Sequence, residues 1–139
     1  MSGVSLQRDI GAYLKFKANP PVDVDAAGTI NGAAIDRRGY ESCVLFAATG
    51  DLGGSPSAQS LDAKLQDSAD GSTDWTDITG AAVTQIVAAD TEARVDVNLI
   101  GVRRYIRVVR VAAFTGGITP TFDAATLVVL GGADKVVAA

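Results

Sequence analysis

"SLDAKLQD", residues 60–67, alternates strictly between apolar and polar side chains. Successive side chains of a β-strand point to opposite faces, so an alternating stretch presents one apolar and one polar face. The two sets here are Leu61, Ala63 and Leu65 against Asp62, Lys64 and Gln66. The pattern predicts an antiparallel strand with one face buried and the other in water.

The rest of the chain after residue 28 continues in the same way. "EARVDVNL" (92–99) alternates again, while "YESCVLFAAT" (40–49) holds a run that is apolar on both faces, as in a central strand. "RRYIRVVRVAAF" (103–114) and "TFDAATLVVL" (121–130) are long and rich in β-branched residues. Short turns containing Gly, Pro or Asp separate these stretches. We therefore expect an all-β fold, a single antiparallel, jelly-roll-like β-sandwich over 29–139.

Residues 1–28 lack this alternation. Pro20 and Pro21 favour an extended path of the polyproline type, and "DVDAAGT" (23–29) follows them. The sequence predicts an extended N-terminal arm outside the sandwich. The two prolines are candidate contacts of that arm with another protein.

Composition restricts the class of protein and of partner. A chain of 139 residues fits one domain, and its net charge of −4 disfavours a nucleic-acid partner. No apolar run is long enough to span a bilayer, and "MSGVSLQRDIGAYLKFK" lacks the apolar core of a secretion signal. We expect synthesis in a reducing cytoplasm and no membrane partner. The single cysteine, Cys43, lies in an apolar run typical of a buried, inert thiol.

The chain contains no histidine. The commonest general base and the commonest transition-metal ligand are therefore missing, together with every Ser-His-Asp or Cys-His arrangement. Paired carboxylates can hydrolyse glycosides, but nothing singles out such a pair here. We expect neither catalytic residues nor a cofactor.

An aspartate-rich stretch, "AKLQDSADGSTDWTDITG" (63–80), is a candidate site. Asp67, Asp70 and Asp74 do not have the spacing of an EF-hand, although irregular loops of β-sandwiches also bind calcium. Asp70-Gly71 between two alternating segments is typical of a hairpin turn. A structural turn is the favoured interpretation, and calcium or, through Trp75, glycan binding is the alternative.

Four arginines lie on one predicted strand, at Arg103, Arg104, Arg107 and Arg110. Guanidinium groups pair with carboxylates and stack on aromatic rings, so the strand could present an interaction face. Equally, the arginines could pair across strands with acids such as Glu92 and Asp96 and protect an edge from wrong pairing. The two interpretations stay open at this point.

Several stretches together resemble a family of small virion proteins of tailed bacteriophages, commonly encoded among the head genes. They are "RDI" near the N-terminus, "RRGYESCVLFAATG", "KLQDSADGSTDWTDI" and "GVRRYIRVVR", in this order. The family pattern of G-Y-E-S, then K-L-Q-E-S-D-D-G with an aromatic and T-D, then K-R-Y-I-R-V matches 39–42, 64–71 with 75–77, and 103–108. The chain departs at Ala69, where the family often has an acid, and in its tail "GGADKVVAA", which lacks a His/Pro-rich ending.

The resemblance implies a non-enzymatic structural protein of the phage particle. Its leading specific role is a capsid decoration, or cement, protein that binds the major capsid protein or other virion proteins. Such proteins are often symmetric oligomers, with a trimer favoured, and an arm can add a strand to a neighbour. The alternatives are a neck, tail or head-fibre component, or a glycan-binding adhesion module on the virion.

Overall fold

The computed structural model of the chain describes residues 10–133. One 3-10 turn, Ile10–Tyr13, precedes ten β-strands. These strands are β1 Lys15–Lys17, β2 Asp23–Asp25, β3 Gly28–Asn31, β4 Ile35–Asp36, β5 Tyr40–Gly53, β6 Ala58–Ser68, β7 Thr76–Ala82, β8 Glu92–Asn98, β9 Tyr105–Thr115 and β10 Thr121–Ala133. Nothing helical in this part of the chain has the length and apolar character needed to cross a membrane.

The strands form two antiparallel sheets. Sheet A has the order β1-β10-β5-β8, with β2 also paired to β10, and sheet B has the order β3-β9-β6-β7, with β4 also paired to β9. Because β1 and β2 pair with different parts of β10, they act as one interrupted edge strand, and β3 and β4 do the same beside β9. Between the resulting eight strands the chain changes sheet at every connection except β6–β7. This is the jelly-roll path, so the predicted sandwich is confirmed.

The core lies between the inner faces of the two sheets. Leu61, Ala63 and Leu65, on which the strand prediction rested, are at most 2% exposed. They meet the alternate residues of sheet A, among them Leu45 of the central strand β5 and Val128 of β10, which are fully buried. Cross-sheet burial of alternate residues is the main stabilisation that such a sandwich has.

The predicted N-terminal arm is corrected over the part of 1–28 that the structure describes. β1 pairs with residues 128–130 of β10, and β2 pairs with residues 122–124. Together they form the first strand of the jelly roll and belong to the sandwich. Residues 1–9 of the predicted arm lie outside the described residues.

Pro20 and Pro21 lie between β1 and β2 rather than on an arm. Proline has no amide hydrogen, so two of them in succession interrupt a ladder and divide the edge strand. Pro20 is buried. The carbonyl oxygen of Pro21 accepts a hydrogen bond of 3.2 Å from Nη2 of Arg110. Both prolines therefore connect two strands of the sandwich, and Pro21 is exposed at this connection.

One end of the sandwich is closed by two turns that pack directly on each other. They are the β5–β6 turn around Gly54 and the β9–β10 turn around Gly117, and the amide of Ile118 donates to the carbonyl oxygen of Gly54 at 2.9 Å. Both glycines have positive φ. A Cβ on Gly54 would lie 2.7 Å from Cα of Pro120, so this approach requires glycine.

Candidate functional site at the arginine end

The opposite end of the sandwich gathers most of the candidate site residues, but not Pro20, Pro21 or Arg110. It is formed by the β4–β5, β6–β7 and β8–β9 connections, residues 37–39, 69–75 and 99–104, and we refer to it as the arginine end. The amide of Arg37 donates to the carbonyl oxygen of Arg104 at 3.0 Å, which joins the first connection to the third. The fold thus brings together sequence motifs that are far apart in the chain.

Arg103 joins the second and third connections. Its Nε and Nη2 donate to Oδ1 of Asp67 at 3.1 and 2.9 Å, and its backbone amide donates to Oδ2 at 3.0 Å. Nη2 also donates to the carbonyl oxygen of Asp74 at 2.8 Å. Burial raises the pKa of Asp67, but the hydrogen bonds and charge of Arg103 outweigh it, so the net pKa is below its ordinary value. This carboxylate is therefore an ionised structural partner of Arg103.

Asp70 stabilises the β6–β7 turn. Its Oδ1 accepts from the amides of Ser72 and Thr73, both at 2.9 Å, and its Oδ2 accepts from the Thr73 hydroxyl at 2.8 Å. Hydrogen bonds from Thr73 and Ser72 lower the pKa of Asp70 well below its ordinary value. The bonds favour the structural turn over the calcium loop, because protein donors already occupy both carboxylate oxygens.

Arg104 makes an exposed ion pair with Asp36 of β4. Its Nη2 lies 2.9 Å from Oδ2 and its Nε 3.2 Å from Oδ1. The hydrogen bond from Arg104 lowers the pKa of Asp36 to about 2. The same guanidinium lies 5.0 Å from the ring centroid of Tyr105 and makes a cation–π contact with it.

Arg107 lies on the outer face of sheet B and covers Trp75. Its guanidinium carbon is 4.5 Å from the ring centroid, and its Nε donates to Oε1 of Gln66 at 2.9 Å. Gln66 and Lys64 in turn donate to the two carboxylate oxygens of Asp77 at 2.8 and 2.9 Å. One face of Trp75 is thereby occupied by Arg107, and a sugar ring cannot stack on that face.

Arg110 is fully buried between the sheets and is not part of an interaction face. Its Nε and Nη2 donate to the two carboxylate oxygens of Asp25 at 2.8 and 3.0 Å. Its Nη1 donates to Oγ1 of Thr126 at 3.2 Å. The bidentate pair and the hydroxyl satisfy a charge that could not otherwise remain in the core. The proposed interaction strand is corrected at this position.

The acids that pair with the arginines differ from those expected. Asp67, Asp36 and Asp25 fill the role assigned to Glu92 and Asp96. The two expected acids lie on β8 in the other sheet, where their strand pairs with β5. Alternation indicated that acids and arginines could pair across strands, but it could not show which sheet each strand joins.

Sequence reasoning missed the role of Arg37. Its side chain donates to the carbonyl oxygens of Arg103 at 3.3 Å, of Tyr40 at 3.2 Å, and of Val102. It therefore holds the β8–β9 connection against the start of β5. The available signal was its position in "RRGYES", one of the stretches that carried the family resemblance.

Hydrogen bonds and ion pairs hold the connections of the arginine end together. Among residues 10–133 no group of three or more Asp, Glu or Cys side chains is placed to hold a metal ion. Cys43 is 3% exposed and lies in the core, where burial raises the pKa of its thiol to about 11. A thiol in this state is a poor nucleophile at neutral pH.

Comparisons with known proteins add structural likenesses alone. No protein-family model matches the chain, and no curated protein matches its sequence. Among solved structures, the chain is similar to the SPBc2 prophage-derived protein YomS, with a TM-score of 0.49 and 9% identity over 84% of this chain and 91% of that one. It is also similar to the CBM22-1-GH10 modules of xylanase Xyn10B from Clostridium thermocellum, with a TM-score of 0.38 and 7% identity over 92% of this chain and 28% of that one.

Proposed function

We propose that this chain is a non-enzymatic structural protein of a tailed-bacteriophage particle, made in the cytoplasm of the bacterial host. One observation carries the proposal. The stretches that resemble such virion proteins, "RRGYES", "KLQDSADG" and "RRYIRV", fold into one bonded unit at the arginine end. The unit joins three connections of the jelly roll through hydrogen bonds.

Within the particle, the role we propose is capsid decoration. A jelly-roll sandwich presents two broad sheet faces, which suits contact between surfaces more than the enclosure of a small molecule. Its partners are then the major capsid protein or other virion proteins, and further copies of this chain. Many copies on one shell bind through avidity, so each contact can be weak. Neither nucleic acid nor a membrane is a partner in this proposal.

The test is binding to expanded phage heads that lack this protein. Purified chain should sediment with the heads to saturation and raise the temperature at which they release their DNA. An acidic β-sandwich of similar mass from an unrelated source is the control for unspecific adsorption. Heads whose thermal release is unchanged at saturating protein would contradict the cementing role.

The number of copies in the virion separates decoration from the neck, tail and head-fibre alternatives. A decoration protein is present in hundreds of copies, and a neck or tail component in few. Quantitative staining of purified virions against the major capsid protein gives this ratio. A few copies per particle would favour the neck, tail and head-fibre alternatives. Absence from the particle would contradict the virion proposal itself.

A further inference from the structure

The outer face of sheet A carries large apolar side chains. The ladders set Phe46 beside Leu127, Val44 beside Val129, and Phe16 on the far side of Val129. None of these five residues is buried, and Phe16 is 55% exposed. We call these five residues the apolar face. The other four are partly exposed, and a contiguous apolar surface of this kind often marks an interaction site.

The outer face of sheet B is different. Lys64, Gln66, Asp77 and Arg107 form a continuous set of hydrogen bonds across its strands β6, β7 and β9. A sandwich usually turns such polar residues toward water on both outer faces. Because these polar groups on sheet B already bond to one another, we expect the contact surface on sheet A.

A row of charges borders the apolar face along β8. Glu92, Arg94 and Asp96 are exposed and lie opposite Ala48, Phe46 and Val44 of β5. Within 10–133, none of the three forms an ion pair. An open depression of about 700 Å³ lies along this border, lined on one side by Val44 and Val129 and on the other by Arg94 and Asp96. The charges remain available to a partner that fills it.

We propose that the apolar face packs against the apolar face of a second copy of this chain. The charge row supports this choice of partner, because its signs alternate as negative, positive, negative. A twofold contact brings identical patches together, so each patch must complement itself. With Arg94 of one copy against Asp96 of the other, the row does so. The ladder registers then set Phe46 over the partner's Val44, and Leu127 over the partner's Val129. This inference does not depend on the proposed phage function.

The first test is the native mass in solution, measured by sedimentation velocity and light scattering. The wild-type chain should have twice the 14.2 kDa mass of a single chain. Phe46→Asp should convert it to single chains with an unchanged far-ultraviolet spectrum. Val111→Asp is the matched control, since Val111 is also a half-buried strand residue but faces outward from sheet B. It should leave the pair intact.

The second test exchanges the charges at the border. Arg94→Glu should weaken the pair about fivefold or more, because it sets like charges against each other. The exchange R94E with D96R should recover the wild-type affinity. A native mass of one chain overturns the proposal, and a mass of three chains, the number that the family resemblance favours, overturns the twofold contact. A pair that survives Phe46→Asp overturns this surface, and a failed recovery overturns the charge pairing.

Discussion

Arg110 and Asp25 make the core of this sandwich partly ionic. Both side chains are almost completely shielded from water, at 0% and 1% exposure. Removing two charges from water is costly, and the bidentate geometry offsets that cost. The pair also binds the first strand of the jelly roll to the opposite sheet, because Asp25 lies on β2 and Arg110 on β9.

Asp25→Ala should lower the free energy of unfolding by about 3–5 kcal/mol, since it leaves the Arg110 charge buried without its partner. Urea unfolding followed by Trp75 fluorescence measures the change. Asp23→Ala is the matched control, on the same strand but exposed, and should stay within about 0.5 kcal/mol of the wild type.

The double replacement D25L with R110M distinguishes loss of the ion pair from burial of an unpaired charge. It removes both charges together and keeps apolar volume in the core, so it should cost less than Asp25→Ala alone. A double variant as unstable as the single one would show that the ionic pair itself, rather than the unpaired charge, determines the loss.

Cys43 should be unreactive in the folded protein. Its thiol is 3% exposed, and burial raises its pKa to about 11, so little thiolate forms at neutral pH. A thiol reagent added at pH 8 should label the chain in 6 M guanidinium and leave the native chain unlabelled for hours. Rapid labelling of native protein, at a rate independent of denaturant, would contradict the buried position.

Residue roles were only partly predictable from the sequence. The sequence indicated that Asp70 and its neighbours form a turn, because Asp-Gly between alternating segments has a local signature. The partners of the arginines had no such signature. Arg103 and Asp67 are joined by the pairing of β6 with β9, and this pairing depends on the whole topology.

At the scale of elements, the β5–β6 and β9–β10 turns show how tightly the sandwich is closed. Gly54 has φ 77° and would place a Cβ 2.7 Å from Cα of Pro120. Gly80, within β7, has φ 78° but open space around the same position. The two glycines therefore share a backbone conformation and differ in their surroundings.

Gly54→Ala should destabilise the protein more than Gly80→Ala. Each substitution places alanine at positive φ, which costs about 1–2 kcal/mol. The crowded turn at Gly54 should add about 1–3 kcal/mol through displacement of its neighbours. Thermal and urea unfolding of the two variants measure the difference, and equal losses would mean that the turns can move apart at little cost.

Long strands were predictable, and short ones were not. β5, β6, β8, β9 and β10 each contain an alternating or continuous apolar stretch that identifies a strand by itself. β1 and β2 have three residues each and are divided by two prolines, so their local sequence resembles an extended arm. They become strands because β10 offers them a free edge. Local propensity cannot show this.

For the whole molecule, the aspartates predict acid sensitivity. Arg104 lowers the pKa of Asp36 to about 2, and hydrogen bonds lower the pKa values of Asp70 and Asp77. In the unfolded chain these groups titrate near pKa ~3.9, so the unfolded state binds more protons below that pH. Their contribution is therefore complete above about pH 5 and is lost as the pH falls through about 4 toward 2.

The midpoint of urea unfolding should stay level from pH 7 to pH 5 and then fall steadily toward pH 2. Combining Asp36→Asn with Asp70→Asn should flatten this fall and lower the midpoint at pH 7, since the stabilising carboxylates are gone. Asp51→Asn is the control, because the carboxylate of Asp51 accepts no hydrogen bond from side chains or backbone described between 10 and 133. If the unfolding midpoint of the double variant falls below pH 5 as steeply as that of the wild type, other groups cause the acid sensitivity.

The position of β10 has a consequence for how the protein is made. This strand lies between β5 on one side and β1 with β2 on the other, so Lys15 faces Leu130 across almost the whole described chain. A ribosome releases the neighbours of β10 long before β10 itself. Sheet A cannot be completed until β10 has been synthesised, and the formation of such long-range contacts is slow. Completion of the sandwich therefore comes after synthesis of its other strands, and a chain stalled before residue 121 would lack the core residues Phe122, Val128 and Leu130 that β10 supplies.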